Sequence, residues 1–124
     1  MNSSNLLTQF YATRDQYRSN ADLAVAKAEY CKASELLWGA LTQQIKALAA
    51  KYNITIGKHG EFFDFMRQIA EELNDQALYT EFVHLNALHR NFYDEMIPPD
   101  VFPEYYERAV TLIDRLATLV GTVS

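Results

Sequence analysis

A chain of 124 residues with a net charge of -5 and a single cysteine is sized for one domain that builds its core without disulfides or metals. The acidic balance gives no field for gathering duplex phosphates, so nonspecific duplex DNA binding is not expected, and no apolar run reaches the roughly 18 residues a membrane span needs. Four Gly and three Pro against 49% hydrophobic residues leave few turns, which predicts an all-α chain: a four- or five-helix up-down bundle, one domain over residues 1–124.

Ser3 or Ser4 is placed to cap a short first helix that carries Leu6, Leu7, Phe10 and Tyr17 and fades near residues 18–20. The opening MNSSNLLTQF lacks a charged n-region and an apolar h-region, so no signal peptide is read. With the lone Cys31 this points to a reducing, cytoplasmic setting. From Asp22, apolar positions recur at three and four through Tyr30, Leu37, Leu41, Ile45 and Leu48, predicting one helix of about 30 residues, the spine of the bundle. Gly39 interrupts it mildly and allows a neighbour to come close beside Trp38.

NITIGKHG, residues 53–60, reads as the longest loop. Phe62, Phe65, Met66, Ile69 and Leu73 mark a third helix ending near Asn74 and Asp75. Leu78, Phe82, Leu85, His89, Phe92 and Met96 mark a fourth, which must stop before Pro98 because the residue preceding a proline is pushed out of the helical region. Asp100 is expected to cap a fifth helix, with Pro103 in its first turn and Phe102, Tyr105, Ala109, Leu112, Ile113 and Leu116 along its buried face.

Chemistry is sparse. Glu81 and His84 form one Glu-x-x-His unit, where di-iron bundles use two, and His84 falls about 120° from the apolar stripe. Neither a metal nor a cofactor is expected. Cys31 reads as a small apolar side chain, and phosphate-loop, G-x-S-x-G and H-E-x-x-H motifs are absent. The segment LHRNFYDEM is the densest in polar and aromatic groups. On a helical wheel His89 falls within about 20° of the stripe centre and should point into the bundle, with Tyr93 or a tyrosine of the last helix as partner. Arg90, Asn91 and Asp94 fall at least about 120° away, where Arg90 and Asp94 can pair on the surface and Val83 and Ala87 add a small apolar strip.

AEYCKASELLWGALTQQIKALA, a loop ending in Lys-His-Gly, an aromatic helix and ALHRNFYDEM together resemble the HEPN superfamily (higher eukaryotes and prokaryotes nucleotide-binding), in its archaeal paREP branch, over about residues 20–120. The resemblance implies an all-helical bundle, frequent homodimers and roles around RNA. Its ribonuclease members carry an Arg-x4-6-His motif. Arg90 and Asn91 match its start, but positions 95 to 97 hold Glu95, Met96 and Ile97 instead of His. The expectation is therefore a non-catalytic HEPN-like module, homodimeric, binding a nucleotide, RNA or a partner protein in a toxin-antitoxin, defence or regulatory setting. Ligand-binding candidates are His89, Arg90, Asn91, Tyr93 and Asp94; interface candidates are Val83, Ala87, Phe102, Tyr105 and Tyr106. The alternatives are a metal-independent ribonuclease using a rearranged pair, His89 or His59 with Glu95, and a purely structural interaction bundle.

Overall fold

The computed structural model describes residues 3–94 and 96–123; the side chains of Ser3 and Ser4 lie outside that description, and with them the cap expected there. Five helices make up the bundle: α1 (Ser3–Ala26), α2 (Tyr30–Lys51), α3 (His59–Glu72), α4 (Gln76–Asp94) and α5 (Phe102–Val120). The all-α expectation holds. The spine is α2, which packs against each of the other four helices. Its Ala33, Leu37, Leu41, Ile45 and Leu48 are buried among Phe82, Leu85, Phe102, Ile113 and Leu116.

The expected continuous helix over residues 22–52 is broken. Residues 27–29 form a tight reversal: Ala28 takes φ 58°, its N–H donates to Val25 O (2.9 Å) and the Glu29 N–H donates to Ala24 O (2.9 Å). This pair of bonds is the Schellman closure, which satisfies the last carbonyls of a helix while the chain turns back. α1 therefore runs on past residue 20 and folds against α2 as an antiparallel hairpin, with Ala21 and Ala24 buried at the contact and Leu23 exposed. The same closure ends α2 at Asn53 (φ 60°) and α3 at Asn74 (φ 51°). Gly39 lies where α1 presses on α2: a Cβ there would sit 2.9 Å from Tyr17 Cδ2.

Residues 53–58 return along α2 without helical structure, with Ile56 buried. At the start of α3, His59 sits beside Trp38, early in α2, while Phe65 meets Tyr52 just past the end of α2. The return covers about 20 Å at 1.5 Å per helical residue. It lets α3 run in the same sense as α2 and α4 run antiparallel to both.

On α4 the expected stripe holds through Leu78, Phe82 and Leu85, then rotates. The buried positions continue as Leu88 and Asn91, whereas Phe92 and Met96 are exposed. Steps of three turn the buried face by about -60° each, which brings Asn91 onto Ser34 of α2. The expected Asp100 cap is also replaced: the residue before α5 is Val101, which offers no side-chain cap, and Pro98 O accepts from the N–H groups of Val101 (2.9 Å) and Phe102 (3.1 Å).

Candidate functional site

Glu35 and Trp38 stand three apart on α2 and so share one side of the helix. Trp38 is almost wholly buried and forms the back wall. Its ring stacks on Phe82 (centroids 5.2 Å apart) and on His89 (5.9 Å), and lies 5.9 Å from His59. His59 is the first residue of α3, directly after the return segment. Its position is fixed by Glu61, whose Oε1 accepts from the backbone N–H groups of Lys58 (2.6 Å) and Gly57 (3.0 Å). Those two donors, Lys58 first, hold the Glu61 carboxyl below its ordinary range.

His59 and His89 thereby lie side by side, ring centroids 5.1 Å apart, with Phe63 edge-on to the first (5.5 Å) and Tyr93 edge-on to the second (5.6 Å). His89 Nδ1 is 2.8 Å from Glu35 Oε1 and 3.1 Å from Oε2. An ionised carboxylate only accepts, so Nδ1 carries the proton and donates it, and Nε2 is left for another partner. The partner expected for His89 was a tyrosine. It is Glu35, 54 positions away. The side chains of His89 and Glu35 are about one-third exposed, while His59 and Tyr93 are exposed, so the cluster opens to solvent.

Asn91 is corrected outright. Instead of facing outward it is 1% exposed: Nδ2 donates to Ser34 Oγ (2.9 Å), and Oδ1 accepts from the N–H of Ile97 (2.7 Å) in the chain that folds back beyond α4. Ser34 Oγ in turn donates to Tyr30 O (2.8 Å). Buried, and bonded at both ends of its amide, Asn91 ties α2, α4 and the chain beyond α4 together. Arg90 and Asp94 are exposed as expected, but no ion pair forms between them among the described residues. Glu95 lies outside the described residues.

The interface candidates divide. Val83 is exposed on the outer side of α4, whereas Ala87, one turn on, is half-buried and packs in part against the core. Phe102 is committed to this chain's own core, with its ring 5.2 Å from Tyr30. Tyr105 stacks flat on His84 (5.0 Å), and the Tyr106 hydroxyl donates to Asp22 of α1; burial first, then that carboxylate, push the Tyr106 phenol up. The Glu-x-x-His unit is occupied by Arg108, which grips both oxygens of Glu81 (2.7 Å each) and donates to His84 Nε2 (2.9 Å). That guanidinium holds the Glu81 carboxyl down. Among the described residues no set of three His, Cys, Asp or Glu side chains converges as a metal site, and no helix is long and apolar enough to cross a membrane.

The model of the archaeal PaREP1/PaREP8 family matches residues 12–113. The chain belongs to that family. The match runs from the middle of α1 into α5 and spans the cluster of Glu35, Trp38, His59 and His89 described above. No curated protein and no solved structure matches the chain.

Proposed function

We propose that this PaREP1/PaREP8 protein is a HEPN-like binding module whose α2–α3–α4 cluster takes up a nucleotide unit, free or within RNA. One observation carries the reading: Glu35 holds His89 through Nδ1, and the His89 ring lies beside the exposed rings of His59 and Tyr93. Exposed imidazole and phenol rings are stacking surfaces for bases, each worth about 1–3 kcal/mol, the Nε2 lone pair of His89 accepts from a base N–H or a ribose hydroxyl, and the exposed Arg90, which pairs with no described residue, supplies donors for phosphate. In this reading the outer side of α4, with Val83 and Ala87, is left for a second copy of the chain. A thermal-melt screen against nucleoside mono-, di- and triphosphates and short single-stranded RNA checks it. Binding to the native state raises Tm, and at physiological salt the rise must survive and then vanish in His89→Ala and Arg90→Ala. No rise with any of these ligands sinks the reading.

The adjacency of His59 and His89 favours a second reading, metal-independent RNA cleavage with one imidazole as base and the other as acid. The pairing differs from the expected one with Glu95. Under it, purified protein cuts single-stranded RNA to 2′,3′-cyclic phosphate ends in the presence of chelator, and His59→Ala and His89→Ala each lower the rate by about 100-fold or more. RNA left intact by the wild-type chain removes this second reading and leaves the first standing.

A further inference from the structure

The two imidazoles of the cluster are held differently. The Nδ1–H of His89 lies across both oxygens of Glu35 (2.8 and 3.1 Å), and its ring stacks on Trp38. His59 is exposed and is met only by the rings of Trp38, Phe63 and His89. Among the described residues neither of its ring nitrogens has a hydrogen-bond partner. The charged groups bordering the pair balance. α2 brings Glu35, with Lys32 one turn before it; the return segment brings Lys58, α3 brings Glu61, and α4 brings Arg90 and Asp94 besides the Tyr93 phenol. Glu61 stays ionised, since the backbone N–H groups of Lys58 and Gly57 hold its carboxyl below the ordinary range. Asp64 is answered by Arg67 (3.6 Å). α1 reaches the edge of the cluster with Tyr17, beside Glu35, and no α5 side chain makes a ring contact or hydrogen bond with either imidazole among the described residues. Three cations thus stand against three carboxylates, and with both imidazoles neutral the cluster has no net charge to hold an anion.

We infer that a phosphate enters this cluster together with one proton, which settles on His59. The inference rests on the nucleotide-binding reading above and adds what regulates it, the surrounding pH. The proton comes from solvent or buffer and forms an N–H bond on the ring; no other bond is made or broken. A neutral imidazole turns one donor and one lone pair towards its surroundings, whereas the imidazolium offers two donors and a positive charge, and charge-assisted bonds to an oxyanion are roughly twice as strong as neutral ones. His89 is the poorer seat. Its Nδ1–H is already engaged, and a proton on Nε2 would turn the acceptor for a base or ribose into a donor. Two imidazolium rings with centroids 5.1 Å apart repel each other, so uptake stops at one proton. Imidazole changes charge between about pH 5 and 8. Because the bound state carries the extra proton, affinity for the phosphate is full at the acid end of that window and is lost as pH rises through it.

Calorimetric titration of the full chain tests this with ApA, CpC, GpG and UpU, and with the four nucleosides. The single phosphodiester of each dinucleotide keeps one fixed negative charge across the window, so the ligand does not itself titrate. For the tightest of them, binding heats at about pH 7.5 in two buffers of different ionisation enthalpy should report roughly half to one proton taken up per ligand. Affinity should fall about fivefold or more from pH 6 to pH 8. The nucleosides should bind with no uptake. His59→Gln, at an exposed position, should bring the uptake close to zero and flatten the pH profile at the level the wild-type chain reaches at the alkaline end. A flat profile in the wild-type chain, proton release on binding, or an uptake that survives His59→Gln overturns the inference and leaves the binding reading standing. If neither dinucleotide nor nucleoside binds anywhere in the window, the reading beneath it falls too.

Discussion

Asn91 shows at the scale of one residue how a polar side chain can look functional and be structural. Its carboxamide bonds Ser34 on one side and the backbone of Ile97 on the other, both out of water. Asn91→Ala would leave the buried N–H of Ile97 without its acceptor and Ser34 Oγ with only its bond to Tyr30 O, and a stability loss of about 1–3 kcal/mol is expected in urea unfolding. A neutral outcome would mean that water replaces both bonds. The helical wheel placed Asn91 outside because it knows only the helix; the cover comes from the reversal of the chain around Pro98, which no periodicity encodes. His89 was legible as inward-pointing because it follows Leu85 by four, one turn beyond the last residue of the regular apolar row. Its partner Glu35, and its neighbours His59 and Trp38, were not legible, since they come from segments tens of residues away and carry no local spacing that joins them.

Among the elements, the third and fourth helices were readable because each is stopped by a residue with its own backbone logic: Asn74 tolerates the left-handed region and Pro98 forbids continuation. The reversal between α1 and α2 was not. Lys27, Ala28 and Glu29 are good helix formers, so propensity predicts continuation, and tertiary packing of the hairpin overrides it. The conflict is stored at Ala28, where a Cβ is held at φ 58°. Relief by Ala28→Gly is therefore expected to stabilise the protein by about 0.5–1 kcal/mol despite the greater freedom glycine adds to the unfolded chain. The denaturation midpoint measures it. A loss would show that residue 28 gains more from its side chain than its backbone pays in strain.

At the scale of the molecule, five helices and their order around α2 follow from hydrophobic spacing and a handful of breakers, whereas the site follows from how the parts are brought together. α1 with α2, and α3 with α4, are each antiparallel hairpins closed by short local turns, and α4 with α5 adds the Arg108–Glu81 pairing. Residues 53–58 are the exception, since their long backward run is what sets α3 alongside the front half of α2. Tyr17, Glu35 and Trp38 thus belong to the first hairpin, His59 and His89 to the second. Helical signal can appear as soon as each hairpin closes on itself, because those contacts are near in sequence, while the cluster exists only once the slower, distant docking of one hairpin on the other is complete. A molecule held across that seam would grip both halves at once, so its binding energy falls on the least local step in the assembly of the chain, and occupancy and native topology become a single cooperative event.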